Sequence, residues 1–263
     1  MGYFGSSALS DIKFGSSAVS KVYRGASLLW ELVAPGDPDF ANVSLLLHGN
    51  GTDGGTVFTD SSSGGYAISS YDGGTTTSTT QIKYGSASLL FTGTSNIQVT
   101  GTANSQTVAG FGANDFTVEF WAYPTASTSN AGCVAYGNSS SSSPSFFIGL
   151  GTIGGSENMY FYYSLDGTNS TLVSGTVAKT LLNAWSHCAV TRQGGTLRGF
   201  VDGTEVFNTT ISGSIAAQPT STVKFGRGNS ANFTGHLDDI RVTKGVARYT
   251  GAFTPPAAEF PDS

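Results

Sequence analysis

Carboxylates are the residues of this sequence whose type and spacing come nearest to a catalytic site. Asp238 and Asp239 are adjacent in the segment H-L-D-D-I-R-V, and Glu119 lies far from them in F-T-V-E-F-W. A retaining glycosidase needs two carboxyl groups about 5–5.5 Å apart, whereas adjacent residues of a strand point to opposite faces of the sheet. The sequence contains no E-x-D-x-x-E run, which would place carboxyl groups on one face. We therefore expect no enzymatic activity.

Histidine, serine and cysteine also form no recognisable catalytic or zinc motif. His48, His187 and His236 lie far apart and lack the paired spacings of zinc sites. No G-x-S-x-G nucleophile elbow is present. Cys133 and Cys188 are the only cysteines, and we expect both to be reduced, buried thiols.

The segment 233–249 is predicted to be the strand that closes the fold. Strict alternation would place His236, Asp238, Ile240 and Val242 on one face of that strand. Asp238 would then share a face with two apolar side chains. A carboxylate beside a core is costly unless a cation or several N–H donors meet it, so we expect such a partner elsewhere in the chain.

Composition excludes several classes of partner. The 263 residues carry a net charge of −5, and only 11% of them are charged. An acidic chain without a basic patch is not expected to bind nucleic acid or an anionic membrane surface. The sequence has no apolar run of transmembrane length and shows no secretory signal pattern.

Short alternating segments without a sustained helical pattern predict an all-β domain. In residues 116–123, Phe116, Val118 and Phe120 should face a core, and the intervening Glu119 and Trp121 should face outward. The further predicted strands cover residues 43–48, 88–91, 97–100, 185–192 and 222–225. Residues 72–80 are nearly all Gly, Ser and Thr, and they predict a long solvated loop.

Two Asp-Gly pairs predict tight hairpins. Asp166-Gly167 and Asp202-Gly203 each separate two alternating segments. A primed two-residue turn needs positive φ at both central residues, which Asp and Gly tolerate. We expect these aspartates to serve the turns and not a catalytic site.

The N-terminal residues carry a repeat of their own. Gly5, Gly15 and Gly25 begin similar segments at ten-residue intervals, with short apolar alternations between them. This pattern predicts a β meander over residues 1–36, which is too short to bury a core alone. It would pack on its own domain, on a sister chain or on another protein. Pro35-Gly36-Asp37-Pro38 is the predicted linker to a main domain over residues 37–263.

Five segments together resemble the laminin-G-like, concanavalin A-like jelly rolls. They are L-L-L-H-G-N-G-T-D-G at 45–54, F-T-D-S-S at 58–62, F-T-V-E-F-W-A-Y-P at 116–124, N-A-W-S-H-C-A-V-T-R at 183–192 with G-F-V-D-G-T at 199–204, and the closing segment at 235–249. The resemblance implies two antiparallel sheets packed face to face, with the first and last strands meeting.

The same resemblance implies a calcium ion near that meeting point, held by Asp60 and Asp238. Oxygen-rich turns suit a hard cation. The alternative is that backbone N–H groups satisfy both carboxylates without a metal. Asn50 stands where relatives often carry an acidic residue, which favours that alternative.

The ending K-G-V-A-R-Y-T-G-A-F-T-P-P at 244–256 and the segment at 15–30 resemble bacteriophage virion proteins. This implies a non-enzymatic virion protein, a capsid decoration or tail appendage, assembled in the host cytoplasm. Residues 1–36 would join other virion proteins or form a homo-oligomer. The alternative is a carbohydrate-binding module or adhesin for host-surface glycans. Tyr66, Tyr71 and Tyr136 lie near loops where a sugar could stack, although scattered surface tyrosines are the commoner case.

Overall fold

The computed structural model describes residues 36–127, 129, 131–137, 144–228 and 231–263, and the backbone of four short strands before residue 32. The three repeat glycines lie outside the described residues, and so do residues 139–143, a run of serines before Pro144 whose composition predicts a polar loop. The chain separates into two compact units, Met1–Asp37 and Pro38–Ser263.

The first unit contains two small hairpins. Strand β1 (Lys13–Phe14) pairs with β2 (Ser17–Ala18), and β3 (Lys21–Arg24) pairs with β4 (Ser27–Glu31), both in antiparallel register. The four strands follow one another without an intervening helix in the described backbone, as expected for short alternating segments.

The described part of the second unit consists mainly of strands, with a 3₁₀ turn over Phe40–Asn42 and one helix, α1 (Thr102–Ala109). The strands are β5 (Val43–Leu47), β6 (Ile68–Tyr71), β7 (Thr76–Ser78), β8 (Ser88–Thr92), β9 (Asn96–Val99), β10 (Phe116–Pro124), β11 (Ala131–Gly137), β12 (Pro144–Ile153), β13 (Ser156–Ser164), β14 (Ser170–Thr176), β15 (Ser186–Gln193), β16 (Thr196–Val201), β17 (Thr204–Thr210), β18 (Val223–Phe225), β19 (Ala231–Asn232) and β20 (Thr234–Lys244).

These strands form two sheets. The first sheet has the order β17-β16-β15-β10-β20-β8-β7, and β5 also pairs with β20. The second has the order β14-β13-β12-β11-β18-β9-β6, and β19 adds a short parallel pair to β11. The other ladders of the two sheets are antiparallel. The predicted two-sheet jelly-roll sandwich is therefore confirmed.

Strand β20 closes the first sheet. One edge pairs with β10 along most of its length, while the other pairs first with β8 and then with β5. The first and last strands of this unit thus meet, as the family resemblance implied.

One apolar core fills the space between the sheets. Its centre includes stacked phenylalanines: the Phe111 and Phe116 rings lie 4.1 Å apart, and Phe146 joins them at 5.1 Å from Phe111. Phe116, Val118 and Phe120 all lie in this core, which confirms the predicted core face of β10. Glu119 and Trp121 lie on the other face, but they are buried as well. Cys133 and Cys188 are both free and buried, as predicted.

The predictions for the two Asp-Gly turns and for the Gly/Ser/Thr-rich residues 72–80 are confirmed only in part. Asp202 and Gly203 have φ of +48° and +76° and form the predicted two-residue turn between β16 and β17. Asp166 instead lies in a longer loop, where its carboxylate accepts backbone N–H groups from Thr168 and Asn169. The loop prediction for residues 72–80 is wrong in part, because the backbone of β7 pairs with β8.

No helix in the described part of the chain is long and apolar enough to cross a membrane.

Candidate functional site

Asp60 lies in the turn that follows β5, and donors surround its carboxylate. Oδ1 accepts the N–H groups of Leu46 and Ser62, each at 3.0 Å. Oδ2 accepts the Ser62 hydroxyl at 3.0 Å and the Tyr66 N–H at 2.8 Å. Four donors occupy about the full accepting capacity of a carboxylate. In this arrangement Asp60 matches the metal-free alternative, because protein donors meet both of its carboxylate oxygens.

Asp238 is fully buried on β20 and only half satisfied. Its Oδ2 accepts the N–H groups of Lys83 and Tyr84 at 2.9 and 3.2 Å. Its Oδ1 is buried and has no hydrogen-bond partner among the described residues. Burial raises the pKa of Asp238 to about 8 although the two N–H donors oppose the shift. Asp238 therefore keeps one oxygen for a cation or a proton.

Neither Asp60 nor Asp238 belongs to a group of three or more clustered metal ligands in the described part of the chain. Within the described residues, the one group of three or more clustered ligands is His48, Asp239 and Glu259. Calcium at Asp60 and Asp238 stays a prediction.

A β-bulge at Asp239 corrects the predicted alternation of β20. The register with β10 shifts between Glu119 and Trp121, and Asp239 has a φ of +49°. A bulge inserts one residue and turns the following side chains over. Leu237 and Ile240 both enter the core as a result. Asp238 and Asp239 lie near enough for their charges to interact, and Asp238 does not share a face with Ile240.

The bulge brings Asp239 to an ion-paired junction with the C-terminal segment, Tyr249–Asp262. His48 Nδ1 lies 2.7 Å from Asp239 Oδ1, and Nε2 lies 2.7 Å from Asp262 Oδ1. Burial alone would lower the pKa of His48, but these carboxylates raise it to about 9. A protonated imidazole has no lone pair to offer a metal. The junction therefore fastens the C-terminal segment to the end of β5.

The buried Glu119 lies beneath the same segment. Its Oε1 accepts Nε and Nη2 of Arg241 at 2.9 and 2.8 Å, and its Oε2 accepts the Tyr249 hydroxyl at 2.7 Å. His187 Nε2 lies 3.2 Å from Oε2. Burial would raise the pKa of Glu119, but Arg241 and His187 lower it to about 2. A buried, ionised and fully engaged carboxylate holds the sheet and the C-terminal segment together, and it is not free to act on a substrate.

Aromatic rings complete the cover over the first sheet. Tyr249 and Phe253 stack with centroids 3.6 Å apart, and Phe253 also meets the edges of His187 and Phe200. The guanidinium of Arg241 lies 3.7 Å from the ring centroid of Phe260. The outer face of the first sheet is thus largely occupied by the protein itself.

The second sheet has a groove on the face that points away from the core. We call it the outer groove. It encloses about 380 Å³ and is lined by Tyr71, Gln98, Thr220, Ser221, Thr222, Lys224 and Arg227. Tyr71 is 51% exposed. The Thr222 hydroxyl donates to Gln98 Oε1 at 2.9 Å, and the amide N–H groups of Gln98 form no hydrogen bond with the described residues. This groove combines a ring surface with several polar groups, as ligand sites do.

Two cationic side chains belong to the outer groove. Lys224 is partly buried, and its side chain forms no hydrogen bond or ion pair with another described residue. Burial and the neighbouring Arg227 lower the pKa of Lys224, and the charge of Asp72 opposes this shift only in part. Arg227 pairs through Nη1 with Asp72 at 2.9 Å, whereas its buried Nε has no acceptor among the described residues.

A row of aligned residues extends from the outer groove across the second sheet. Direct strand pairing joins Gln98 to Lys224, Lys224 to Ala135, Ala135 to Phe147 and Phe147 to Tyr162. The Phe147 and Tyr162 rings lie 5.7 Å apart. Phe147 is buried and Tyr162 is partly exposed, so Tyr162 offers a second ring surface about 14 Å from Lys224 at three strand spacings.

The tyrosines named from sequence have different environments. Tyr71 lines the outer groove. Tyr66 is partly buried and packs against the core. Tyr136 is fully buried, and its hydroxyl donates to Gln218 O at 3.0 Å. Tyr136 is therefore a core residue and offers no surface to a sugar.

Sequence reasoning missed Lys224 and Arg227 because the lining comes from distant parts of the chain. A signal for Tyr162 was present in the run M-Y-F-Y-Y at 159–163. Side chains alternate across a strand, so an unbroken aromatic run places rings on both faces. It indicates an aromatic outer surface on this sheet.

Sequence comparison finds one family. The profile of Laminin_G_3, described as the concanavalin A-like lectin/glucanases superfamily, matches residues 91–248. That range covers more than half of the 263 residues and includes β9 to β20. None of the curated proteins matches the chain.

Solved structures share the fold at low sequence identity. Domain 4 of AbnA, a GH43 extracellular arabinanase from Geobacillus stearothermophilus solved in complex with arabinotriose, is 16% identical with a TM-score of 0.58. The match covers 78% of this chain and 94% of that domain.

Botulinum neurotoxin binding domains also match. The type G receptor binding domain is 15% identical with a TM-score of 0.53, and the match covers 78% of this chain and 48% of that one. The binding domain of neurotoxin DC in complex with SialylT is 12% identical with a TM-score of 0.53, covering 79% and 49%. The chain thus spans about half of each toxin domain, and these similarities establish the fold.

Replacing Glu119 by Gln should destabilise the protein strongly. The change removes the buried negative charge that faces Arg241, and breaking a buried ion pair from one side costs about 3–5 kcal/mol. Urea unfolding measures the loss. Glu205→Gln is the matched control, because Glu205 forms an exposed pair with Arg198 at 3.5 Å that is worth below about 1 kcal/mol. Similar losses in the two variants would contradict the role of Glu119.

Asp238 should make stability fall as the pH rises. Its pKa is about 8 in the folded protein against an ordinary value of 3.8, so the folded state holds a proton that the unfolded state releases. Stability then decreases from about pH 4 to pH 8. We expect the melting temperature of Asp238→Asn, relative to wild type, to rise by several degrees over that range in chelator. A constant difference would contradict the raised pKa.

The same melts test the predicted calcium ion. Calcium bound at Asp238 would make wild type melt higher with calcium than with chelator, because ligand binding to the folded state stabilises it. Asp238→Asn would lose that difference. A wild-type melting temperature unchanged by saturating chelator would rule the ion out.

Proposed function

Because this chain belongs to the Laminin_G_3 family of the concanavalin A-like lectin/glucanases superfamily, we propose that its jelly roll binds carbohydrate without hydrolysing it. We place the ligand in the outer groove. The observation that supports this best is the exposed ring of Tyr71 beside the amide of Gln98 and the hydroxyl of Thr222. A sugar offers a C–H face to a ring and hydroxyls to polar side chains, and such sites combine both features.

The groove lining supports binding without catalysis. None of the described lining residues is an aspartate or glutamate, whereas glycoside hydrolysis ordinarily needs a pair of carboxyl groups. Glu119 is buried and ion-paired on the other sheet.

Proteins of similar fold supply independent support. The AbnA domain was solved with arabinotriose, and botulinum neurotoxin type C is described as depending on two ganglioside molecules for cell entry. These ligands belong to those proteins. The AbnA domain, which the match covers to 94%, indicates that this sandwich can present a glycan site, and our proposal uses that coarse feature.

A second proposal concerns the kind of particle in which the protein functions. The separate N-terminal unit, with hairpins β1–β2 and β3–β4, favours a phage virion protein that is attached or oligomerised through residues 1–36. The jelly roll would then be displayed as a capsid decoration or tail appendage, on a particle assembled in the host cytoplasm. A displayed domain that binds host-surface glycans would serve such a particle, so the two proposals are compatible.

The full-length protein should bind oligosaccharides on a glycan array, and Tyr71→Ala should weaken that binding about tenfold. Loss of a stacking contact is worth about 1 kcal/mol or somewhat more, and 1.4 kcal/mol is a factor of ten. Titration calorimetry on an oligosaccharide identified by the array measures the change.

Val57→Ala is the matched control, because Val57 is 78% exposed and does not line the outer groove. Absence of binding to any glycan would refute the proposed function. Equal binding by Tyr71→Ala and wild type would place the ligand elsewhere.

Removing residues 1–36 should convert an oligomer into a monomer. The meander is too small to fold alone, so we expect it to associate with copies of itself in the full chain. Light scattering after size exclusion gives the mass of the full chain and of a chain that begins at Asp37. Two monomers of equal stability would contradict the attachment role, and absence of the protein from purified phage particles would contradict the virion role.

A further inference from the structure

We propose that the outer groove is selective for anionic glycans, which carry a carboxylate or sulfate group, and that Lys224 pairs with that anion. This inference rests on the proposed carbohydrate-binding function and names the class of its ligand.

Lys224 is the first reason. It lies on β18 inside the second sheet, between Ala135 of β11 and Gln98 of β9, and points to the outer side. It is partly buried, and its ammonium group forms no hydrogen bond or ion pair with a described side chain; the one carboxylate whose charge acts on it, Asp72, already pairs with Arg227. Removing an ammonium group from water is costly unless a charge or acceptors compensate. An anion in the groove would supply that compensation.

Arg227 is the second, independent reason. Asp72 engages its Nη1, but the Nε–H is buried and lacks an acceptor in the described part of the chain. Buried donors normally have a partner, and one that lacks it calls for a ligand or an ordered water. Guanidinium and ammonium groups on one wall suit a carboxylate or sulfate, which can accept several hydrogen bonds.

The neutral residues of the groove also favour an acceptor-rich ligand. Gln98 accepts from Thr222 and keeps its N–H groups for a ligand. Ser221 and Thr220 add hydroxyl groups at the rim. The described lining contains donors and no carboxylate. A charged sugar with ring hydroxyls would meet donors on the wall and the Tyr71 ring at the mouth of the groove.

The negative net charge of the protein should confine the binding of anions to the outer groove. The chain carries a charge of −5, so an anion meets an unfavourable field over most of the surface. Attraction depends on the two cations of the groove, and exposed charges are screened by salt. We therefore expect binding that weakens with salt and that a general polyanion does not reproduce elsewhere on the surface.

The test compares three matched oligosaccharides, one neutral, one carboxylated and one sulfated, by titration calorimetry with the full-length protein at low and high salt. We expect at least one anionic ligand to bind about tenfold more tightly than the neutral one, which corresponds to about 1.4 kcal/mol. Comparing carboxylate with sulfate identifies the anion.

Variants link the preference to Lys224. Lys224→Gln should lose the anion preference and keep the weaker neutral binding, and Lys224→Arg should restore much of it. Lys179→Gln makes the same charge change beside Asp202, outside the groove lining, and should bind as wild type does. Melting temperatures verify that each variant is folded.

The outcomes separate this inference from the proposed function. Equal binding of neutral and anionic ligands, or an anion preference that survives Lys224→Gln, overturns the inference and leaves carbohydrate binding intact. Failure of the wild-type protein to bind any glycan overturns both.

Discussion

The buried charge of Glu119 constrains most of the first sheet. A carboxylate without access to water must be met by a cation and by donors. Strand β20, strand β15 and the C-terminal segment each contribute one partner residue, which are Arg241, His187 and Tyr249. These contacts require that the C-terminal segment cover the sheet, and Phe253 and Phe260 fill the remaining space. The outer face of the first sheet therefore has little surface left for a ligand. The outer face of the second sheet is the one that remains accessible.

Local chemistry explains what was predictable from sequence. Alternation in β10 follows from the strand geometry, and the Asp202-Gly203 turn follows from the φ values that only a few residues tolerate. The bulge at Asp239 was not predictable in this way, because the segment H-L-D-D-I-R-V has no glycine or other turn signal that marks an extra residue, and only the register with β10 reveals it. Strand β7 was missed for a related reason: Thr76 and Thr77 have a loop-like composition, yet their backbone completes the sheet edge beside β8.

The candidate site was less predictable than the fold. The donors around Asp60 come mostly from its own turn, which the alternative without metal anticipated. Tyr71, Gln98, Lys224 and Arg227, in contrast, meet only because β6, β9 and β18 are neighbours in the second sheet. The ion pair between Arg227 and Asp72 at this groove joins residues 155 apart in sequence, and such contacts have no local signature. Single-sequence patterns thus give the faces of strands more readily than the residues that strand order brings together.

The pairing of β5 with β20 has a consequence for biosynthesis. Leu47 is paired with Ile240, so the first strand of the sandwich leaves the ribosome about 190 residues before its partner, roughly 10 to 40 s at ordinary elongation rates. During that interval an apolar strand, V-S-L-L-L, exists without one of its neighbours. The polar, Gly/Ser/Thr-rich sequence that follows β5 then has a role during synthesis. It keeps this part of the nascent chain hydrated and offers few apolar segments for premature association.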